Sequence, residues 1–461
     1  MTKVQIPTTE KDAPFSMTDA VRARDSGQMT PLELVQLCLQ RVDALDSQVR
    51  AWVEVDVERA LAQARQQMTL RPQQLAALPL AGIAVGIKDI IDVAGVRTRC
   101  GSRVRDAHIA AADAPMVTAL RELGAIILGK TETTQFACRD PSPARNPWNV
   151  NHTPGGSSAG SAAATASGMC FAALGTQTGG SITRPASYCG VASFKGSWGR
   201  WPLTGIAPVS EHLDHVGPHA RRVEDLALLW VWLNGRLGLA HGASRIAQAR
   251  AIVANTWLDD MPAPRFAVLH DYYAEVSEAP AYARFEESVA ALEHAGARVT
   301  PMAMPSSFIG LHDSHHIIMA VEAAGVHRSD YARDPGAYSP GISALIEAGL
   351  NIRAVEYRNA RAHQQRFRAD LSAALRQNGT ARIALCPATL SAAPLLSDNT
   401  TGDAQFNAVW SFSGLPTCAL PSSLSADGLP LSLQLGAASE SFALFQTAAW
   451  CERVVDFPFL R

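Results

Sequence analysis

The segment TPGGSSAGSAAATASG at residues 153–168 consists almost entirely of small residues, and LGTQTGGSITRPAS at residues 174–187 follows it closely. Glycine- and serine-rich sequence is typical of flexible linkers. The same residues also let backbone N–H groups approach a ligand closely, because glycine has no side chain. The two segments therefore indicate either a linker or a ligand site, and the rest of the chain has to distinguish them.

The order of residues inside the two segments favours a reactive site. Gly179 and Gly180 directly precede Ser181, so several backbone N–H groups can converge beside one hydroxyl group. This is the form of an oxyanion hole with its nucleophile. In the first segment, paired serines open a stretch of Ala, Ser and Thr that predicts a helix, whose N-terminus carries unpaired N–H donors. A serine there can stand between a base and Ser181.

A candidate base is Lys88, which lies in the apolar, glycine-flanked segment GIAVGIKDIIDV at residues 82–93. Lysine is rare in such surroundings. A surface position at a strand end, or a buried ion pair with Asp89 or Asp92, would explain it structurally. Desolvation would instead disfavour the ammonium, so that the neutral amine can serve as a base near neutral pH. With the two serine segments, Lys88 supplies the residues that Ser–Lys nucleophilic catalysis requires.

Two other patterns compete for a function. GAIILGKT at residues 124–131 matches the phosphate-binding pattern G-x-x-x-x-G-K-[ST]. A P-loop needs a strand before its first glycine, whereas here a predicted helix precedes Gly124 and AIIL itself reads as a strand, so Gly124 is better interpreted as a helix C-cap. Six histidines form two short groups at spacings that a metal site can use, namely His212, His215, His219, His312, His315 and His316. Neither group lies on an H-E-x-x-H helix, and we interpret them as ordinary surface or core residues.

The overall pattern predicts an α/β protein. TPLELVQLCLQRVDAL offers Thr30 as N-cap and Glu33 as the partner in a capping box, and helical spacing continues through the first seventy-odd residues. Beyond them, short apolar runs punctuated by glycine alternate with helices. We expect one large domain over residues 1–461, with a helical segment at residues 1–75 packed on it.

Composition excludes several classes of protein. The 461 residues are 47% hydrophobic and 18% charged with a net charge of −2, which are globular values without a basic surface for nucleic acid. The eight cysteines are scattered without a C-x-x-C pair, so we expect reduced, mostly buried thiols. The first fifteen residues lack an apolar leader, and no later segment is an apolar run of membrane length. The sequence predicts a cytoplasmic protein without a membrane or nucleic-acid partner, and it is compatible with a homodimer.

The motifs together resemble the amidase signature family across most of the chain. The resemblance is carried by GIKD around Lys88, GGSSAGSAAATASG around Ser157 and LGTQTGGSITRPASYCGVASFKGSWG around Ser181. ALRELGAIILGKTETTQFA, LDHVGPHARRVEDLALL and FSGLPTCALPSSLSADGLPLSLQLG support it. It implies an α/β/α sandwich around a mixed sheet and hydrolysis of carboxamide bonds by a Ser-cisSer-Lys triad, with no metal or organic cofactor.

Carried over by position, the resemblance implies that Ser181 is the acyl-forming nucleophile, Ser157 the bridging serine with a cis peptide, and Lys88 the base. The implied oxyanion donors are the backbone N–H groups of Thr178, Gly179, Gly180 and Ser181.

The chain departs from the family pattern at three positions. Gln177 stands where many members have Asp, Thr183 where they have Arg, and Gln135 where Glu is common. The side chain of Arg184 should point elsewhere than that of Thr183, since neighbouring side chains diverge. The triad positions are all kept, so we expect an active enzyme with a less charged loop.

The resemblance therefore implies a hydrolase that converts a small-molecule amide to a carboxylate plus ammonia or an amine. Two alternatives stay open. One is the amidase subunit of a glutamine-dependent tRNA amidotransferase, which the loss of charged loop residues and the lack of a basic face disfavour. The other is a catalytically silent scaffold of the same fold, which the intact triad disfavours.

Overall fold

The computed structural model describes residues 16–239, 243–376 and 383–460. Over these ranges the chain has the predicted α/β/α architecture, in which helices surround one large mixed β-sheet. The first fifteen residues, to which the expectation about a leader applies, lie outside the described residues. None of the described helices combines the length and the apolar character that crossing a membrane requires.

The helices, in chain order, are α1 (Met17–Asp25), α2 (Pro31–Val49), α3 (Val57–Met68), α4 (Pro72–Ala76), α5 (Pro115–Glu122), α6 (Ala159–Ala166), α7 (Thr183–Cys189), α8 (Val223–Arg236), α9 (Ala243–Val253), α10 (Asp271–Val276), α11 (Ala279–His294), α12 (Leu311–Arg333), α13 (Pro340–Asn351), α14 (Ala354–Ala374), α15 (Gln405–Ser413) and α16 (Phe442–Val455). The strands are β1 (Trp52–Val55), β2 (Ala84–Lys88), β3 (Ile126–Thr131), β4 (Ala172–Gln177), β5 (Ala192–Lys195), β6 (His215–Ala220), β7 (Arg265–Val268), β8 (Arg298–Pro301), β9 (Ile383–Pro387), β10 (Thr417–Leu424) and β11 (Pro430–Gly436).

The described strands form a sheet in the order β1-β3-β2-β4-β6-β5-β10-β11-β9-β7-β8. Within it, β3, β2 and β4 run parallel to one another, as do β8, β7 and β9. The other neighbouring strands are antiparallel. The prediction of a mixed sheet is therefore confirmed.

The helical signals near the N-terminus are confirmed in detail. Thr30 caps α2, because its side chain accepts a hydrogen bond from the Glu33 N–H and the Glu33 carboxylate accepts one from the Thr30 N–H. Val35, Cys38 and Leu45, which recur at helical spacing, are buried, and Val42 is half-buried. All eight cysteines are buried and unpaired, as their spacing predicted.

One strand in this region was not predicted. β1 lies between α2 and α3 and pairs antiparallel with β3, so residues 1–75 contain a sheet element as well as helices. Four residues between two helices are too few for a period-two pattern to be recognised. The single-domain interpretation of residues 1–461, with residues 1–75 as a packed segment, stays a prediction.

The segment that matches a P-loop has a structural role. Gly124 has a φ of 94° and directly follows the C-cap of α5, and the following residues enter β3. Lys130 and Asp89 are both buried and form an ion pair with a distance of 2.9 Å between Nζ and Oδ1. The lysine of this motif is therefore neutralised inside the protein and is not presented to a phosphate.

The topology brings three loops to one edge of the sheet. Because β3, β2 and β4 are parallel neighbours, their carboxyl ends meet at this edge. Lys88 is the last residue of β2, the loop 178–182 follows β4, and the loop 132–140 follows β3. Ser157, just before the N-cap of α6, reaches the same edge through its contact with Lys88.

Candidate active site

Lys88 is fully buried, and its amine contacts two hydroxyl groups. Nζ lies 2.7 Å from Ser157 Oγ and 2.7 Å from Thr176 Oγ1. Burial lowers the pKa of Lys88 to about 7, because desolvation penalises the ammonium, and the carboxylate of Asp214 opposes part of this shift. Near neutral pH, a large share of the Lys88 side chains is therefore the neutral amine.

The structural explanations for Lys88 are wrong. The lysine does not lie at the surface, and within the described residues no carboxylate lies within 4 Å of its Nζ. Asp89 forms an ion pair with Lys130 instead, and the carboxylate of Asp92 lies 3.4 Å from Nε2 of His108. A buried group with a strongly lowered pKa that adjoins a cavity is a candidate for a functional site.

Ser157 lies between Lys88 and a cavity. The peptide bond between Gly156 and Ser157 is cis, as the family resemblance implied. Ser157 and Ser181 both line this cavity, whereas no hydrogen bond joins their hydroxyl groups among the described residues. The structure thus pairs Lys88 with Ser157 directly and places Ser181 on the same cavity wall.

The loop that carries Ser181 presents unpaired donors. Among the described residues, the backbone N–H groups of Gly179, Gly180 and Ser181 donate no hydrogen bond to the protein. The next two N–H groups, of Ile182 and Thr183, both donate to the side-chain oxygen of Gln177. Thr178, Gly179, Gly180 and Ser181 all line the cavity. Successive free N–H groups beside a hydroxyl form a site for an anionic oxygen.

Two side chains from distant parts of the chain hold the carbonyl groups of this loop. His315 Nε2 lies 3.1 Å from the carbonyl oxygen of Thr178, and Ser411 Oγ donates to the carbonyl oxygen of Gly179 at 2.6 Å. A carbonyl only accepts, so Nε2 of His315 carries the proton. In a trans peptide the C=O and the following N–H point in opposite directions. The two contacts therefore fix the N–H groups of Gly179 and Gly180.

Gln177 replaces the usual acid with a group that can both accept and donate. Its Oε1 accepts from the N–H groups of Ile182 at 2.9 Å and Thr183 at 3.0 Å. Its Nε2 donates to Ser411 Oγ at 3.0 Å, and Ser411 in turn holds Gly179. An ionised carboxylate could supply the acceptor but not this donor. The departure from the family pattern is thus accommodated by a neutral hydrogen-bond chain.

Arg184 turns toward a different part of the site. Its Nη2 donates to the carbonyl oxygen of Gly156 at 2.7 Å, and its Nη1 donates to the carbonyl oxygen of Gly402 at 2.5 Å. Burial lowers the pKa of Arg184, with the largest effect coming from desolvation. The buried guanidinium thus links the carbonyl group of Gly156 to that of Gly402 in the loop 399–404.

The cavity at this edge has a volume of about 470 Å³. One wall is the sheet edge with the loops described above. The opposite wall comes from the second half of the chain, through the start of α12, the loop 399–404 and the start of α15. Its side chains include His312, His315, His316, Met319, Asp403, Gln405 and Ala408.

The two histidine groups do not form a metal site in the described part of the chain, where no three metal-ligating side chains come together. His212 Nδ1 lies 2.6 Å from a carboxylate oxygen of Glu322, and His219 Nε2 lies 3.0 Å from the carbonyl oxygen of Ile182. These two are ordinary structural contacts, as predicted, whereas His312, His315 and His316 line the cavity, which was not predicted. The expected absence of a metal cofactor stays a prediction.

Sequence reasoning missed several residues around the site. Thr176 stands inside a quoted motif, but only the register of β4 beside β2 indicates that it faces Lys88. His315 was noticed only as part of a histidine group. Asp214 also stands inside a quoted motif, but the sequence does not indicate that it accepts from Thr178 Oγ1, at 2.5 Å. Ser411 gave no signal, because it reaches the loop from far along the chain.

A family model for amidases matches residues 33–441 of the chain. The chain belongs to the amidase family. Among curated proteins, this amidase is 31% identical to a subunit of the glutamyl-tRNA(Gln) amidotransferase of Roseiflexus castenholzii, over 94% of both chains. It is 32% identical to the subunit of the same name from Oleidesulfovibrio alaskensis, over 73% of this chain and 70% of the other.

Solved structures agree with this membership. The inhibitor-bound structure of a vestigial protein complex that concerns the origin of an s-triazine catabolic enzyme superposes with a TM-score of 0.86 and 28% identity, covering 97% of this amidase and all of that chain. Native peptide amidase from Stenotrophomonas maltophilia superposes with a TM-score of 0.80 and 25% identity over 98% of both chains. This amidase is therefore a hydrolase of carbon–nitrogen bonds in amides.

Proposed function

We propose that this amidase hydrolyses the carboxamide bond of a small molecule through an acyl-enzyme, with Ser181 as nucleophile, Ser157 as proton relay and Lys88 as base. The observation that carries the proposal is the 2.7 Å contact between Lys88 Nζ and Ser157 Oγ beside a cavity that Ser181 also lines. An amine with a pKa of about 7 can accept a proton near neutral pH, which an ordinary lysine cannot.

In the first half of the reaction, Ser181 Oγ attacks the amide carbonyl carbon and passes its proton to Ser157, whose own proton moves to the neutral amine of Lys88. The tetrahedral intermediate then collapses and breaks the C–N bond. The departing nitrogen takes the proton back from Lys88 through Ser157 and leaves as ammonia or an amine. In the second half, water attacks the Ser181 ester along the same relay and releases the carboxylate.

The free backbone N–H groups of the loop before Ser181 suit the charge that develops in this reaction. The oxygen of the tetrahedral intermediate is negatively charged, and the N–H groups of Thr178, Gly179 and Gly180 are proposed to bind it together with that of Ser181. Preorganised donors of this kind contribute about 2.7 to 4 kcal/mol each to the lowering of the barrier in serine hydrolases. The contacts of His315 and Ser411 to the loop carbonyls support this preorganisation.

The cavity supports a small-molecule substrate, since about 470 Å³ lies within the range of small-ligand sites. The net charge of −2 gives no support for direct binding to nucleic acid. We place the reaction in the cytoplasm, without a metal or an organic cofactor. A homodimer is compatible with this chemistry.

A second candidate function comes from the relatives that are named as amidotransferase subunits. A protein of that kind would work with partner proteins on a charged tRNA. The neutral hydrogen-bond chain from Gln177 through Ser411 and the net charge of −2 favour the free amidase. Purification of the tagged chain from its own host distinguishes the two, because an amidotransferase component should come with stoichiometric partners and the free amidase should not.

The test of the proposed function is labelling with a fluorophosphonate, which phosphonylates only an activated serine. The wild type should gain the mass of one adduct on the peptide that contains Ser181, and Ser181→Ala should gain none. The same wild-type preparation should release ammonia from simple primary amides. An adduct that persists in Ser181→Ala would show that Ser181 is not the nucleophile.

Ser187→Ala is the matched control for this experiment. Ser187 is also buried and lies on α7 close in sequence, but its hydroxyl contacts Thr389 and does not line the cavity. Labelling of the Ser187 variant should match that of the wild type. Loss of labelling in both variants would point to a general disturbance of the loop.

A further inference from the structure

Ionised side chains line the cavity on both sides, and the two acids among them already have donors. The carboxylate of Asp140 accepts from Ser339 Oγ at 2.6 Å and from the Gly341 N–H at 2.8 Å. Asp403 Oδ1 accepts from the Gln405 N–H at 2.7 Å. Of the two lining arginines, Arg184 is occupied by backbone carbonyls, as described above. The remaining charged group is Arg139.

The guanidinium of Arg139 has no acidic partner. It is exposed at the cavity, and within the described residues no carboxylate lies within 4 Å of it. Its nearest polar contact is His316 Nδ1, at 3.5 Å from Nη2. Arginine has only donors, so Nδ1 of His316 is the acceptor and its proton lies on Nε2. Burial lowers the pKa of His316, which keeps this tautomer neutral near pH 7. Arg139 and His316 together therefore present only donors to the cavity.

The loop that carries Arg139 is held to residues 337–341, which join α12 to the start of α13. The side chain of Gln135 donates to the carbonyl oxygen of Ala337 at 2.8 Å and accepts from the Ser339 N–H at 2.6 Å. The ring of Phe136 lies 5.3 Å from that of Tyr338, centroid to centroid. These contacts fix the backbone on the N-terminal side of Arg139, and the bonds of Asp140 fix it on the other side. The backbone on both sides of Arg139 is thus held in place, and its side chain lines the cavity.

We infer that Arg139 binds a carboxylate on the substrate, so that the substrates of this amidase are small amides that also carry a carboxylate group. A planar carboxylate matches the fork of a guanidinium and can accept two hydrogen bonds from it. The lining contains two arginines and two acids, so it suits a monoanion better than a doubly charged phosphate group. This inference rests on the proposed function, because it names the substrate class of the same site.

The test compares amides that differ only in this charge. Succinamate and glutaramate carry the carboxylate, whereas 4-oxopentanamide and 5-oxohexanamide replace it with a neutral acetyl group of similar shape. For the wild type, we take whichever of the two charged amides is hydrolysed with the higher kcat/KM. Its kcat/KM should exceed that of its neutral counterpart by about tenfold or more, which is the range of one charge-assisted hydrogen bond. In Arg139→Gln the ratio of kcat/KM for the charged amide to that for the neutral amide should fall to about one. Only the kcat/KM of the charged amide should decrease.

Two further variants control the comparison. Arg139→Lys keeps the charge but not the fork, so it should retain part of the preference. Arg298→Gln removes an exposed arginine from the distant edge strand β8 and should leave the preference unchanged. A preference of the same size in Arg139→Gln as in the wild type would overturn the inference, as would a wild type without any preference.

A measurement of binding affinity tests this inference separately from the proposed chemistry. Calorimetric titration of Ser181→Ala with the same four amides does not require turnover, and the charged pair should bind about tenfold more tightly only while Arg139 is present. Tighter binding of the charged amides without hydrolysis in the wild type would count against the proposed function and support the carboxylate site. Equal affinities, or no measurable binding of either charged amide, would overturn the carboxylate site.

Discussion

Thr176 Oγ1 and Ser157 Oγ lie at the same distance, 2.7 Å, from the amine of Lys88. Thr176 extends from β4 and Lys88 from β2, which are parallel neighbours in the sheet. The amine of Lys88 is therefore held by one hydroxyl group from the sheet and one from the segment before α6. Ser157 lines the cavity, whereas Thr176 does not. Thr176 therefore contacts the amine without contacting whatever binds in the cavity.

We predict that Thr176→Val moves the pH dependence of kcat/KM toward acid. The ammonium form of Lys88 donates to Thr176, so loss of this acceptor disfavours the ammonium and lowers the pKa of Lys88 further. One hydrogen bond of about 0.5 to 1.5 kcal/mol corresponds to a shift of about 0.4 to 1 pH unit. The measurement is the pH–rate profile from about pH 5 to about pH 9. Thr176→Ser keeps the hydroxyl and should keep the wild-type profile, and an alkaline shift in the valine variant would contradict the prediction.

Removal of the amine by Lys88→Met should lower kcat by about 10² to 10⁴, because a positioned general base is lost. Fluorophosphonate labelling of Ser181 should slow with it. A folded variant with nearly normal turnover at neutral pH would refute the assignment of Lys88 as the base.

The same variant should be more stable than the wild type at low pH. Burial lowers the pKa of Lys88 from 10.5 to about 7, so the unfolded chain binds more protons between these values. The buried Lys88 therefore destabilises the folded wild type fully below about pH 7, and this destabilisation decreases as the pH rises toward 10.5. The difference in free energy of unfolding between Lys88→Met and the wild type should therefore shrink from about pH 6.5 to about pH 9, as measured by urea denaturation. A difference that grows over this interval would contradict the linkage.

A carboxylate at position 177 should move the pH–rate profile in the opposite direction to Thr176→Val. In Gln177→Asp the new charge favours the ammonium of Lys88, so the rising limb should shift toward alkaline values, by at most about one pH unit. Gln177 and Thr176 point to opposite faces of β4, which limits the size of the effect. Gln177→Asn shortens the side chain equally without the charge and isolates the electrostatic part. Identical profiles for the two variants would show that position 177 is electrostatically remote from the base.

Loss of the Ser411 hydroxyl should reduce kcat about fivefold to tenfold, with a smaller effect on KM. The carbonyl of Gly179 loses its donor in Ser411→Ala, so the N–H of Gly180 is no longer fixed for the transition state. Ser413→Ala is the matched control, because Ser413 lies on the same helix and donates to Trp410 within it. Equal effects of the two substitutions on kcat and KM would indicate a general disturbance of α15.

Chelation should leave activity unchanged. The proposed chemistry assigns no metal to the histidines, and His212 is engaged with Glu322. Dialysis against EDTA followed by the amide assay tests this expectation. Activity that is lost on dialysis and restored by a divalent cation would require a metal in the mechanism.

The sequence singled out the central residues of the candidate site and few of the residues that contact them. Lys88 and Ser181 could be recognised because a buried lysine and a glycine-flanked serine are unusual in their local surroundings. His315 and Ser411 could not, because histidines and serines on helices are common and their contacts with the loop span 137 and 232 residues of chain. The N-terminal cap of α2 was predictable from four residues, whereas the order of the strands depends on packing across the whole chain.

The sheet edge at the parallel strands β3, β2 and β4, with its loops, forms one wall of the cavity, and the other wall comes from a later part of the chain. The proposed reactive groups all lie between residues 88 and 181, while the facing wall comes from residues beyond 310. Substitutions in α12 or in the loop 399–404 can change the shape of the cavity without replacing the residues that are proposed to break the C–N bond. Apart from Arg139, which lies within the stretch of the proposed reactive groups, the residues that shape the facing wall and those proposed for the chemistry are thus encoded in separate stretches of the gene, and each stretch can change under selection at its own pace.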